Sequence, residues 1–242
     1  MFSLMLIKEL QDLFVDFDVC WLAATPRKRR LRHERFIGMS MWSFTFWRDY
    51  FGQLRFGRSQ ALKDIIKDYY PALLKEKPIA GENVFENLNG CREFLFAQGY
   101  KYVLVGGVPI LPKPFFENEG VAFVGCHPAP LPEVRGEDHL VFTLYYGLYP
   151  SASVYQLDSR IDGGCIFEVV PLDTITNDDS FYSLQLKLEV HRAKTLAKFA
   201  KNLLSGGAIS TPVPNAGRLH QYKDVTIQIR KKAEENLKKL FS

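Results

Sequence analysis

The fold of this chain is decided by residues 121–136, which read VAFVGCHPAPLPEVRG. The apolar run Val121–Val124 predicts a short buried strand. His127 follows this run directly and is itself followed by a turn that contains three prolines. In a parallel sheet the ligand cleft lies beyond the carboxyl ends of the strands. We therefore expect His127 to lie in such a cleft.

A second segment, residues 158–164, reads DSRIDGG and supplies an acid on a glycine-containing loop. A single histidine is weak evidence for a site, but a nearby carboxylate changes its chemistry. A carboxylate beside an imidazole holds the ring's tautomer and stabilises its charged form. The two segments together predict that His127 and Asp162 form a pair.

The two segments resemble the signature of the folate-dependent formyltransferases, the family of glycinamide ribonucleotide transformylase, methionyl-tRNA formyltransferase and the sugar N-formyltransferases. That family carries Asn-x-His-Pro-x-x-Leu-Pro-x-x-x-Gly and, further along, Asp-x-x-x-Asp-x-Gly. The resemblance spans residues 84–207, about half of the chain. The matching residues are His127, Pro128, Leu131, Pro132, Arg135, Gly136, Asp158, Asp162 and Gly164.

The resemblance implies an α/β fold, a mostly parallel twisted sheet with helices on both faces. The family begins with a strand before its first helix, whereas residues 1–14 here have the apolar spacing of an amphipathic helix. Either the first strand is absent or the sequence starts too late, and both alternatives stay open. We expect a catalytic domain over residues 1–207 and a loop with a helical tail over residues 208–242.

The resemblance also implies roles for individual residues. His127 and Asp162 correspond to the catalytic histidine and aspartate. Arg135 and Gly136 are expected to bind the acceptor, although Arg135 has a second possible role, which is to fix the loop through backbone carbonyls. Binding of 10-formyltetrahydrofolate is expected from the strand and turn at residues 105–111, where two glycines permit close backbone approach, and from the acidic loop; the residues concerned are Val105, Gly106, Gly107, Val108, Ile110, Leu111, Asp158 and Gly164.

Gly125 departs from the family pattern, because it stands where the family has its catalytic asparagine. Loss of one donor to the developing oxyanion costs about 2.7–4 kcal/mol. Three interpretations follow: another group substitutes for the asparagine, the enzyme is slow or altered, or the site binds its ligand without turnover. The candidates for a substitute are Asn118, Asn215, Tyr155 and Arg135. Tyr155 is itself a departure, because some family members carry a histidine there.

The expected activity is transfer of a formyl group to the primary amine of a small acceptor, with a nucleotide-linked amino sugar favoured. Residues 26–80 combine a basic run with an aromatic stretch and fit the family least, which favours a non-standard acceptor. About three dozen residues follow Gly207, too few for the extra barrel of the tRNA enzyme, so no nucleic acid partner is expected. The alternatives are glycinamide ribonucleotide formylation and a non-catalytic folate- or nucleotide-binding module.

Composition sets broader limits on the class of protein. The 242 residues are 47% hydrophobic and 24% charged, with a net charge of +4, which is typical of one globular domain. No apolar run is long enough to span a bilayer, and no secretory signal or zinc spacing is present. Four scattered cysteines read as reduced packing residues of a cytoplasmic protein. Membrane contact is not expected, and a homodimer is possible.

The periodicity of apolar residues, together with residues that typically begin or end helices, predicts the remaining elements. Strands are expected at residues 17–24, 102–107, 152–157 and 165–170. Helices are expected at residues 61–70, 113–119, 137–147, 180–205 and 225–241. A further helix is expected to be capped by Glu82 or Asn83 and to end at Gln98.

Overall fold

The computed structural model describes residues 2–15, 17–22, 82–207 and 212–240. The predicted helix at residues 61–70 and the basic and aromatic region at residues 26–80 lie outside the described residues. The chain divides into two compact units, one of residues 1–16 with 98–242 and one of residues 17–97.

The bounds of the described elements follow the chain in order. The α-helices are α1 (Phe2–Asp12), α2 (Leu88–Ala97), α3 (His139–Tyr145), α4 (Phe181–Leu204) and α5 (Ile227–Lys239). The strands are β1 (Val19–Leu22), β2 (Glu82–Phe85), β3 (Tyr102–Val105), β4 (Ala122–His127), β5 (Arg135–Gly136), β6 (Ser151–Gln156), β7 (Ile166–Pro171) and β8 (Leu219–His220). Short 3₁₀ helices lie at Lys113–Phe116 and Tyr222–Asp224.

In the smaller unit, the prediction that Glu82 or Asn83 caps a helix is wrong. Residues 82–85 form β2, which pairs in parallel with β1. The helix begins later, at Leu88, and the side chain of Asn87 accepts a hydrogen bond from the Gly90 N–H at 2.9 Å. The capping predicted for Asn83 is therefore done by Asn87, four residues further along the chain.

The larger unit is built on a four-stranded sheet in the order β3-β4-β6-β7. β3 and β4 are parallel, whereas β6 and β7 are each antiparallel to their neighbours. Parallel pairing also joins β5 to β8 in this unit and β1 to β2 in the smaller one. The α/β class is confirmed, and the carboxyl ends of β3 and β4 lie at one edge of the sheet.

β4 is longer than its apolar run predicts, and His127 is its last residue. The extension has a physical cause, because Gly125 and His127 pair with Tyr155 and Ser153 of β6. The strand therefore delivers His127 to the sheet edge at a fixed register.

Two helices complete the core of this unit. α4 packs on α1 and on strands β4 and β6, while α5 packs on α3. Their shared core contains the buried residues Leu144, Leu184, Leu188, Ala233 and Leu237. The helical tail thus packs within this unit, and the expected division of the chain at residue 207 stays a prediction. No described helix is both long enough and apolar enough to cross a membrane.

The start of α4 gives a prediction about stability. Ser180 caps the helix by accepting the Ser183 N–H, and the Ser183 side chain returns a bond to the Ser180 backbone. Ser180→Ala should lower the free energy of unfolding by about 1 kcal/mol, the typical value of an N-cap. Ser205→Ala, at the other end of the same helix, is the control and should change it by less than about 0.5 kcal/mol. Equal effects in chemical denaturation would contradict the capping role.

Candidate active site

A cleft of about 290 Å³ lies beyond the ends of β3 and β4. Its wall comes from the turn after β3, the end of β4, one residue of β6, the acidic loop and one residue of α4. The lining residues are Val105, Gly107, Val108, Pro109, Ile110, Leu111, Phe116, Gly125, Cys126, His127, Tyr155, Leu157, Asp158, Arg160, Ile161, Asp162 and Arg192.

His127 and Asp162 meet in this cleft. The Nδ1 atom of His127 lies 3.5 Å from Oδ2 of Asp162. Burial lowers the pKa of His127, and the Asp162 carboxylate partly opposes that effect. Among the described residues, the buried Nε2 of His127 has no hydrogen-bond partner. The predicted proximity is observed, and burial disfavours the charged form of the ring.

Asp162 is held by three other segments of the chain. Its Oδ1 accepts the Tyr155 hydroxyl at 2.7 Å, and its Oδ2 accepts the Gly136 N–H at 3.0 Å. Its backbone carbonyl accepts a bond from the side chain of Asn215. The backbone of Asp162 has a φ of 44°, a left-handed conformation that costs about 1–3 kcal/mol in a residue with a side chain. The three contacts hold the residue in this conformation.

Arg135 contacts backbone carbonyls, which is the second of its two predicted roles. Its two terminal nitrogens donate to the Gly217 carbonyl at 2.7 Å and to the Ile161 carbonyl at 2.8 Å. The side chain is buried and does not line the cleft. Arg135 therefore joins the acidic loop to the C-terminal segment.

Two glycines of the motif have a steric reason to be glycine. Gly136 has a φ of 90°, and a Cβ there would lie 2.2 Å from the His220 carbonyl oxygen. A Cβ on Gly164 would lie 1.6 Å from the Gln156 carbonyl oxygen. Both positions therefore allow two backbone segments to approach closely, and neither residue lines the cleft.

Six of the eight residues predicted to bind folate line the cleft, and the exceptions are Gly106 and Gly164. Asp158 accepts from the Arg160 backbone N–H at 2.7 Å and from its Nε at 2.9 Å. In the turn after β3, the apolar side chains of Val108 and Ile110 are 38% and 68% exposed. That exposure leaves an uncovered apolar surface on the cleft wall.

Gly125 and Tyr155 face one another on β4 and β6. Of the four candidates for a substitute donor, Tyr155 lines the cleft and the other three do not. Asn118 accepts the Gly120 N–H in a turn, and Asn215 supports the Asp162 loop.

Three solved structures of similar fold are formyltransferases. A 4-N formyltransferase from Francisella tularensis is 13% identical and has a TM-score of 0.51, over 91% of this chain and 87% of that one. A sugar N-formyltransferase from Shewanella is 12% identical, with a TM-score of 0.49 over 74% and 84%. A formyltransferase from Anoxybacillus kamchatkensis, solved with UDP-4,6-dideoxy-4-formamido-L-AltNAc and tetrahydrofolate, is 17% identical, with a TM-score of 0.48 over 65% and 88%.

This chain has the formyltransferase fold. The Francisella structure carries that conclusion, because it matches nearly the full length of both chains. No protein-family model and no curated protein sequence matches the chain significantly.

Within this formyltransferase fold, sequence reasoning missed three residues. Arg192 of α4 lines the cleft, with its Nε 3.3 Å from Glu189. The ring of His139 lies 5.9 Å from that of His127, and burial lowers the pKa of His139 to about 3. The Ser153 hydroxyl donates to the Ala129 carbonyl at 2.6 Å and accepts the Leu131 N–H at 2.9 Å, which fixes the proline turn to β6.

A local signal for Arg192 lies in α4, where it stands at helical spacing between Leu188 and Leu196. Among the described residues, no group of three acidic, histidine or cysteine side chains is arranged to hold a metal.

The packing of Gly136 gives a second prediction. Gly136→Ala should destabilise the protein through its positive φ and through the contact with the His220 carbonyl. Gly206→Ala is a matched control, because Gly206 also has a positive φ, but a Cβ there would have no neighbouring atom within 4 Å. The control should lose about 1–2 kcal/mol of unfolding free energy from backbone strain alone, and Gly136→Ala should lose more. Equal losses in urea denaturation would show that the close approach carries no cost.

Proposed function

We propose that this protein is a formyltransferase that moves a formyl group from 10-formyltetrahydrofolate to the primary amine of a small acceptor. The observation that carries the proposal is the His127–Asp162 pair at the carboxyl ends of two parallel strands, in the same cleft as the turn after β3. The motif and the fold support it independently. A nucleotide-linked amino sugar is the favoured acceptor.

The cleft suits a folate. A pterin ring needs an apolar slot edged with backbone donors and acceptors, as small-molecule sites generally do. Val108, Ile110 and Leu111 supply apolar surface, and Gly107 leaves its backbone uncovered. When bound, 10-formyltetrahydrofolate supplies the formyl group that the amine attacks.

His127 then moves the proton. Because burial lowers its pKa and so favours the neutral imidazole, His127 is able to accept a proton from the attacking amine. The charged imidazolium that results lies beside the Asp162 carboxylate, which stabilises it until the proton passes to the departing nitrogen.

A second candidate function, a folate-binding module without turnover, is favoured by one observation. Gly125 has no side chain with which to stabilise an oxyanion, and the Tyr155 hydroxyl beside it already donates to Asp162. The two functions share the folate slot and differ in turnover, so separate measurements of binding and of transfer distinguish them.

The folate slot gives a third prediction. Ile110→Asp should weaken tetrahydrofolate binding at least ten-fold in calorimetry, because it places a charge on apolar cleft wall. Thermal unfolding should be unchanged, because the side chain is 68% exposed. Ile227→Asp is the control, since Ile227 is 52% exposed and does not line the cleft. If Ile110→Asp binds tetrahydrofolate as tightly as the wild type, the folate does not bind at this turn.

The proton-transfer role gives a fourth prediction. His127→Ala should lower the rate of formyl transfer by about 10²–10⁴-fold, the usual contribution of general acid–base catalysis. The rate is followed by mass spectrometry as a formyl mass gain on amino-sugar nucleotides. His191→Asn is the control, because His191 contacts the Val170 carbonyl and does not line the cleft.

The pH dependence follows from the direction of the His127 shift. In the folded protein, the pKa of His127 lies below the ordinary histidine value of about 6.5. Since the neutral form is the base, kcat/KM should rise with pH through that lowered pKa and be level above about 6.5. If kcat/KM of the residual activity in His127→Ala still rises with pH over the same range, the titration belongs to another group.

A further inference from the structure

Tyr155 and Gly125 fit one another across two strands. The two residues are opposite in the β4–β6 register. A Cβ on Gly125 would lie 3.4 Å from Cε1 and 3.6 Å from Cζ of the Tyr155 ring, and 2.8 Å from Cδ1 of Leu157. The nearest of these atoms is the end of the Leu157 side chain, whereas the ring atoms lie at ordinary contact distance, so a side chain longer than a methyl group at position 125 would compete with both for space.

The Tyr155 hydroxyl reaches the carboxylate of the site. It donates to Oδ1 of Asp162 at 2.7 Å, while Oδ2 accepts the Gly136 N–H and faces Nδ1 of His127. The carboxylate is thus held at both oxygens, and these two bonds decide which oxygen faces His127. The ring is 7% exposed, so the hydroxyl has little access to competing water.

We propose that Tyr155 is a positioning residue that acts on His127 through Asp162, and that Gly125 leaves room for its ring and for the Leu157 side chain packed beside it. The two departures from the formyltransferase pattern are then one exchange. The side-chain amide of the family's asparagine is absent at position 125. The phenol of Tyr155, from the facing strand, lies beside Asp162 instead. The consequence for catalysis rests on the proposed function, whereas the consequence for His127 titration does not.

Several charged and titratable groups besides Asp162 surround His127. Arg192 of α4 and Arg135 of β5 lower its pKa, and the ring of His139 from α3 lies 5.9 Å away. A change in the titration of His127 is therefore informative only if it can be traced to Asp162. A double-mutant cycle does this, because coupling through a shared partner makes the effects non-additive.

The test uses Tyr155→Phe, which keeps the ring and removes the hydroxyl. The pKa of His127 is measured by NMR titration in the wild type, in Tyr155→Phe, in Asp162→Asn and in the double variant. Tyr155→Phe should shift the titration midpoint in the wild-type background and should leave it unchanged in the Asp162→Asn background. Tyr149→Phe, at a 46% exposed position outside the cleft, is the control and should shift nothing.

Catalysis should follow the same pattern. Tyr155→Phe should lower kcat by about 10- to 100-fold, the scale seen when an orienting partner of a site residue is lost from metal centres. KM should change by less than about two-fold, because the hydroxyl bonds Asp162 and not the ligand slot. A shift in His127 titration without any formyl transfer would keep the positioning role and reject the proposed function. Transfer with neither a titration shift nor a loss of kcat in Tyr155→Phe would reject the positioning role alone.

The exchange with Gly125 is tested by stability, which does not depend on turnover. Gly125→Asn should lower Tm by about 2–4 °C or more in the wild type, the shift expected for a modest local clash in a chain of this size. In a Tyr155→Ala background the same change should lower Tm by clearly less, because the ring is gone and the end of the Leu157 side chain, which packs against it, has room to move aside. Equal shifts in the two backgrounds would show that the ring and position 125 do not compete for space.

Discussion

The carboxylate of Asp162 is the point on which the site depends. The backbone of Asp162 is left-handed. Its carboxylate accepts hydrogen bonds from the Tyr155 hydroxyl of β6 and the Gly136 N–H of β5, and its backbone carbonyl accepts one from Asn215. The conformation costs about 1–3 kcal/mol, and such strain persists only where the surroundings over-determine it. Because each contact comes from a different segment, the position of the acid beside His127 depends on β5, β6 and the C-terminal segment together.

The C-terminal segment takes part in this arrangement. Asn215 is 1% exposed, and the Gly217 carbonyl accepts a bond from Arg135. A Cβ on Gly217 would lie 1.4 Å from the Pro132 carbonyl oxygen, so the segment packs directly on the proline turn. β8 then pairs with β5. The loop after α4 therefore supports the same turn that carries the His127 motif.

Local signals in the sequence predicted most of the sheet and the long helix. β3, β6 and β7 follow from apolar or alternating runs, and α4 begins at the Ser180 cap that its sequence predicts. β2 was missed because its partner, β1, lies about 60 residues earlier in the chain, and acidic or amide residues before an apolar run also indicate a helix cap.

The site was predictable only where the motif fixes it. The resemblance of the two-part motif to the formyltransferase signature predicted that His127 and Asp162 meet, but the partners of Asp162 lie 7, 26 and 53 residues away along the chain. The periodicity of apolar residues indicates local structure and does not predict contacts between such distant residues. Gly136 and Gly164 were expected at the ligand because they belong to the motif, whereas their lack of a side chain permits backbone segments to touch.

The charges around His127 act against one another, and this balance sets what the histidine does. Burial and the guanidinium of Arg192 disfavour the imidazolium, while Asp162 favours it. A guanidinium is always charged, so Arg192, which lines the cleft and is paired with Glu189, adds to the larger effect of burial on the ring. In the proposed transfer, Asp162 would contribute most at the moment when His127 takes up a proton. The orientation of that carboxylate therefore matters more for the charged ring than for the resting one.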